Sequence, residues 1–237
     1  MFKSETVQKA REKMLSVYAE INAAPESEKP QKAVISRGNR KIGRVLNVSI
    51  APLLSCLAAC PCMLYCYDIK AVIQYINVLF ARVKNFWLAV NRPAVYFGTI
   101  ENALAHRKTR KYFRWHVGGD IINAAYFAEM VEIAKRHTDF IFWTYTKKYG
   151  IVNAYCEKHG GRAAIPENPK IMFSEWDGMP VVNPFVFPLF SCKLKAGNKN
   201  HPDFYFYGLY KCPGNCDVCI ENGRGCVAGE SAYADEH

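Results

Sequence analysis

The sequence predicts an α/β fold: a partial (β/α) barrel with a parallel sheet, an N-terminal helical arm and a C-terminal cysteine-rich metal module. Three observations predict it. Strand-type and helix-type segments alternate through the middle of the chain, the pattern of a parallel sheet covered by helices. Half of the 237 residues are hydrophobic and 14% are aromatic, enough to bury a sizeable core without disulfides. Eight of the ten cysteines fall into two short groups, Cys56, Cys60, Cys62 and Cys66, then Cys212, Cys216, Cys219 and Cys226. An open doubly wound sheet fits the same alternation. The expected organisation is an arm and linker over 1–30, a core over 31–207 and the cysteine-rich module over 208–237.

Thr6 to Ala23 reads as a helix because Val7, Ala10, Met14, Val17, Tyr18 and Ile21 recur at three- and four-residue steps between charged residues. Pro25 to Pro30 then breaks it as a linker. Val45 to Ile50 is a buried strand, and a helix-rich region from Ile69 to Arg107 is interrupted near Pro93. Tyr112 to Val117 alternates as a strand and ends in Gly118-Gly119-Asp120. Asn123 to Arg136 is an amphipathic helix with Phe127, Met130, Val131 and Ala134 on one face. Phe140 to Tyr145 is the next strand, Ile151 to Lys158 a short helix, and Lys170 to Ser174 a further strand.

The first twenty residues are charged throughout and lack an apolar stretch, so no secretory signal is read there and a cytoplasmic protein is expected. In that compartment cysteines serve as metal ligands or catalytic thiols more often than as disulfides. Val45 to Tyr67 carries no charge, yet two prolines, an asparagine, two serines and four cysteines argue against a membrane span. The formal charge of +10 favours anionic partners, nucleic acid among them. The run Arg107-Lys108-Thr109-Arg110-Lys111 is read as an exposed face and secondarily as a phosphate-binding patch.

In parallel α/β folds chemistry gathers beyond the C-terminal ends of the strands. The first cysteine group follows the first strand, Gly118-Gly119-Asp120 the second, and Lys147 the third. Several thiolates in one short loop wrap a soft metal or an iron–sulfur cluster. The second group lies among Pro213, Gly214, Asn215, Gly223 and Gly225, the turn residues of a metal knuckle, where zinc and a second iron–sulfur cluster both fit. Its position in the chain suggests a structural or auxiliary site. Cys156 and Cys192 are read as ordinary packed cysteines. Strand alternation sends Phe113, Trp115 and Val117 towards the helices and Arg114 and His116 into the barrel. Arg114 there suggests an anionic ligand, and Lys147 a carboxylate or phosphate.

The first cysteine loop partly resembles that of radical S-adenosylmethionine enzymes: it follows the first strand, and Tyr65 precedes Cys66, although its spacing departs from Cys-x3-Cys-x2-Cys. Cys212, Cys216 and Cys219 do carry that spacing, with Val218 at the aromatic position. Gly38-Asn39-Arg40-Lys41-Ile42-Gly43, Asn47-Val48-Ser49, Cys66-Tyr67, Phe113 to Asp120 and Thr146-Lys147-Lys148-Tyr149 together resemble the gene product 88 proteins of phages and prophages. The resemblance runs from about Ser36 through the C-terminal cysteines. Such proteins are similar to small radical S-adenosylmethionine barrels. The resemblance implies a [4Fe–4S] cluster on Cys56, Cys62 and Cys66, with Cys60 as an extra thiol. It also implies S-adenosylmethionine held by Gly118, Gly119 and Asp120, and an unknown substrate facing Arg114, His116 and Lys147. The competing expectation is a non-catalytic metal-stabilised phage protein that binds nucleic acid through a basic surface.

Overall fold

Hydrophobic periodicity becomes seven α-helices and seven strands among the described residues of the structure, a computed structural model that describes residues 2–58, 60–195, 197–199 and 202–236. In chain order they are α1 (Ser4–Ala23), β1 (Leu46–Asn47), α2 (Tyr67–Gln74), α3 (Ile76–Asn91), α4 (Pro93–Ala105), β2 (Tyr112–Arg114), α5 (Ala124–Arg136), β3 (Ile141–Thr146), α6 (Tyr149–Lys158), β4 (Pro169–Ser174), β5 (Leu189–Lys193), β6 (Tyr210–Lys211), α7 (Cys216–Asn222) and β7 (Ala232–Asp235). Pro93 opens α4, where its missing N–H costs nothing. Asn123 caps α5 by accepting from the Tyr126 N–H at 2.9 Å.

All seven strands run parallel in one half-barrel sheet of order β1-β2-β3-β4-β5-β7-β6. Its outer face presents Phe113, Trp115, Phe142 and Phe173 to the helix layer, where they join Trp87, Tyr96, Ile100, Phe127, Val131 and Val152 in the main core. A second cluster joins Ala10, Met14 and Val17 of α1 to Ile69 and Val72 of α2 and to Leu79 and Val83 of α3. The N-terminal helix therefore packs on the body. Burying an aliphatic side chain such as Met14 contributes roughly 1.5–3 kcal/mol.

Two expectations are corrected. The first two strands are shorter than the apolar runs suggested, because the backbone turns away from the ladder almost at once. His116 (φ 50°) adopts a left-handed conformation two residues beyond β2, and Leu53 (φ 64°) does so farther along the segment after β1. Single bonds from the Val48 N–H to the Arg114 carbonyl (3.3 Å) and from the Ile50 N–H to the Gly118 carbonyl (3.1 Å) continue the pairing. The C-terminal cysteine-rich segment is not a module standing apart. Strand β7 inserts between β5 and β6, so the segment completes the sheet, and Cys219, Cys226 and Val227 pack on its inner face against Trp143 and Met172.

No helix among the described residues is long and apolar enough to cross a membrane.

Candidate functional site

A cavity of about 470 Å³ opens at the C-terminal ends of the strands. The segment after each strand but β5 reaches it: Cys56 to Cys66 after β1, Gly118 to Asp120 after β2, Lys147 after β3, Glu175 and Trp176 after β4, Cys212 to Cys216 after β6, and Glu236 after β7; β5 contributes Cys192 from within the strand. Its floor comes from the inner face of the sheet, through Arg114, Trp143 and Tyr145, and from Cys219, Cys226 and Val227. Both cysteine groups, about 150 residues apart in sequence, line this one space.

The loop that carries the first group has little regular structure, a short 3-10 turn over Pro61–Tyr65 apart. Cys60 Sγ lies 2.8 Å from Cys62 Sγ and 3.3 Å from Met179 Sδ. That sulfur contact favours the thiolate on Cys60 and leaves the proton on Cys62. Burial, reinforced by the Asp120 carboxylate, pushes the Cys56 thiol up to about 12, and burial also raises Cys66. All ten cysteines are free. Among the described residues no three Cys, His, Asp or Glu side chains are gathered as a single-ion site.

The second group is held by secondary structure. Asn215 caps α7 by accepting from the Asp217 N–H at 2.9 Å, and Gly223 ends it in the left-handed conformation. Asp217 ties this helix to the start of the core: its carboxylate accepts from the Arg44 N–H (3.3 Å) and pairs with Arg110. The Cys216 N–H donates to the Lys41 carbonyl at 3.3 Å. Burial raises the Cys216 thiol and pushes Cys219 up to about 11 and Cys226 up to about 12.

The glycines of Gly118-Gly119-Asp120 serve close approach within the chain. A Cβ on Gly118 would overlap the Asp68 carboxylate, itself held by Arg82 at 2.9 Å. Gly119 (φ 87°) would bring a Cβ to 2.7 Å from the Ile50 carbonyl and 2.8 Å from Ser55 Oγ. The Asp120 carboxylate accepts from the Lys147 N–H at 3.0 Å and the Ile121 N–H at 2.7 Å, while burial raises its pKa. The Lys147 bond ties the turn after β2 to the turn after β3, and the Asp120 N–H, donating to Ser55 Oγ at 3.1 Å, ties it to the segment after β1. Lys147 Nζ donates to Ser174 Oγ at 2.6 Å, and its ammonium stands 5.8 Å from the centre of the Trp176 ring.

Arg114 follows strand alternation onto the inner face, its guanidinium 4.8 Å over the Tyr145 ring and 3.9 Å from Cys216 Sγ. His116 does not. Its left-handed backbone breaks the alternation and turns the ring to the helix layer, where Nε2 lies 2.9 Å from Tyr126 Oη and Nδ1 3.2 Å from Thr144 Oγ1. Burial pulls its pKa down to about 3, so the ring is neutral at physiological pH. His116, expected to face a substrate, counts among the residues lining the cavity, while its ring is held in a buried Tyr96–Tyr126–His116–Thr144 network. Sequence reasoning missed Lys41, Glu175 and Trp176. The last two directly follow β4, and the rule that drew attention to Lys147 after β3 points to them equally. Cys192, read as a packed cysteine, also lines the cavity.

The family model described as Gene product 88 matches residues 20–179. The chain belongs to the Gene product 88 family. The match takes in the last turn of α1, the first cysteine loop and β1 to β4, and ends before the second cysteine group. The family's matched part thus carries the loop cysteines, Arg114, Gly118, Gly119, Asp120 and Lys147. No curated protein and no solved structure matches the chain.

Proposed function

We propose that this Gene product 88 family member is an iron–sulfur enzyme of the radical S-adenosylmethionine type, acting on a small substrate in the 470 Å³ cavity. One observation carries the reading. A sulfur-rich loop after the first strand of a parallel half-barrel opens on a cavity floored by a cationic side chain, where such folds place their chemistry. The donor set fits a thiolate-bound cluster by its chemistry: soft sulfur ligands close together on one loop, none tied up in a disulfide.

Cys56, Cys62 and Cys66 would hold the cluster, and Cys60 remains as a further thiol beside Cys62. A bound [4Fe–4S] cluster supplies one-electron reduction of the cofactor and so a substrate radical. The protein's own residues do the rest. The Asp120 N–H, donating to Ser55 Oγ, brings the turn after β2 against the segment that leads into the loop, and Gly118 and Gly119 allow that approach. Arg114 and Lys147 place positive charge on the cavity wall. Trp143, Tyr145 and Trp176 give it apolar surface that keeps bulk water from a reactive intermediate.

Anaerobic purification with iron, sulfide and zinc analysis tests the reading. Expected are iron and sulfide in equal amounts, broad absorbance near about 400 nm, and reductive cleavage of S-adenosylmethionine to 5′-deoxyadenosine. Zinc alone, with no such absorbance, overturns it. Binding of DNA or RNA that falls steeply with salt and ignores S-adenosylmethionine favours the nucleic-acid reading instead. Part of the basic run is already engaged within the chain, Arg107 with the Arg44 carbonyl, Arg110 with Asp217 and Lys111 with Asp139.

A further inference from the structure

Among the described residues, Arg114 on the cavity floor has no carboxylate in ion-pair contact. Each carboxylate on its wall is engaged by other groups of the chain. Asp68 is held by Arg82, Asp120 by the Lys147 and Ile121 N–H groups, and Glu175 by Ser191 and Tyr205. Asp235 pairs with Lys211, and Glu236 accepts from the Lys195 N–H. Arg114 pairs with none of them. Its polar neighbour is the sulfur of Cys216, 3.9 Å from Nη1, and its Nε is out of solvent reach without a hydrogen-bond partner among the described residues.

Trp143 stands directly opposite Arg114 on the neighbouring strand, in register. Its indole N–H is likewise buried and without an acceptor among the described residues. The two residues adjoin at the cavity floor, and each carries a buried N–H without an acceptor among the described residues. An unmet buried donor costs about 1–3 kcal/mol, more where it is charged. Lys41 lies on the same wall, its ammonium 4.4 Å over the Tyr67 ring. Its pKa is lowered by burial and then by the nearby Arg114 charge, as expected of two cations enclosed together.

We propose that Arg114, with Lys41 and Trp143 beside it, forms an oxyanion subsite that receives the carboxylate or phosphate of the substrate. The planar guanidinium, 4.8 Å from the centre of the Tyr145 ring, offers the fork that either group accepts in two bonds. This deepens the reading above by naming the substrate class: a small molecule bearing an oxyanion. It rests on the cavity being the ligand site and needs no cluster.

The test is titration of the full-length protein with inorganic phosphate and, separately, acetate, without reductant or S-adenosylmethionine, followed by tryptophan fluorescence from the cavity residues Trp143 and Trp176. Saturable binding is expected in the native protein, weakened about tenfold or more in Arg114→Gln and unchanged in Lys108→Gln, on the exposed basic run. Tighter phosphate points to a phosphorylated substrate and tighter acetate to a carboxylic acid; either supports the subsite. No saturation, or equal binding by Arg114→Gln, overturns it. So does loss of bound metal in Arg114→Gln when the native protein binds neither anion, which would make the guanidinium the counter-charge of the C-terminal thiolates. If circular dichroism shows Arg114→Gln unfolded, Lys41→Gln decides: weakened anion binding supports the subsite and unchanged binding overturns it. A protein that binds anions but holds no iron refutes the cluster reading alone.

Discussion

The two cysteine groups reach one cavity by opposite means. The loop group, Cys56 to Cys66, has almost no regular structure and owes its place to neighbours: Gly118 and Gly119 let the β2 turn press against it, and Tyr67 bonds the Val117 carbonyl. The C-terminal group lies between the edge strand β6 and the inserted strand β7, on a capped helix and the short 3-10 turn after it, and Asp217 ties it to the 43–44 turn and Arg110. The family match includes the first group and stops short of the second. A loop can move its thiols to suit a bound group, whereas a helix seated on Trp143 and Met172 offers a fixed wall. The contrast suits a reactive site facing a scaffold.

That contrast can be broken most sharply by removing one ligand from each side. Cys66→Ala is expected to abolish the cofactor-binding cluster, read as loss of absorbance near about 400 nm and of S-adenosylmethionine cleavage. Cys219→Ala should leave that signal in place. If either variant removes everything, the shared cavity holds one centre rather than two.

A smaller effect separates the turns that support each group. Gly119→Ala introduces a left-handed alanine and drives its Cβ against the Ile50 carbonyl, at a cost of about 3 kcal/mol in denaturant unfolding. Gly214→Ala, also at positive φ (75°) but with nothing within 4 Å, should cost about 1 kcal/mol. Equal losses would show that the loop side is no more tightly built than the C-terminal side.

Asp217→Asn weakens the tie between α7 and the start of the core and should cost about 2 kcal/mol. Hydrogen exchange is expected to speed up in 210–230 and not in 56–66. Acceleration in both would mean that the groups are mechanically coupled.

The last effect is a pH dependence from the network behind the loop side. His116 is held neutral in the folded state, with a pKa of about 3 against the ordinary 6.5. Below about 6.5 the unfolded chain binds a proton that the folded chain refuses, so stability falls as pH drops towards about 3. The slope from this residue is at most about 1.4 kcal/mol per pH unit. His116→Gln should flatten that slope in urea unfolding measured from pH 7 to 4; an unchanged slope would place the acid sensitivity elsewhere.

The amino-acid pattern alone determined the parallel α/β class, the arm helix, the break at Pro93, the core helix over Asn123 to Arg136 and the strands around Phe142 and Met172. Those features rest on local periodicity and on proline's missing N–H, which a linear reading detects. The same reading put Arg114 on the inner face, because alternation holds as long as the strand does. It did not foresee the left-handed backbone at His116, which sets the ring between Tyr126 and Thr144; no pattern of residue types announces that. Only the tertiary structure decided that 208–237 is part of the sheet, since β6 and β7 are too short to show a period and gain their pairing from β5. The meeting of the two cysteine groups was equally out of reach, because sequence separation says nothing of the distance that a half-barrel closes. So too was the unmatched charge of Arg114: that a buried cation lacks a carboxylate is known only when every carboxylate around it has been accounted for in space.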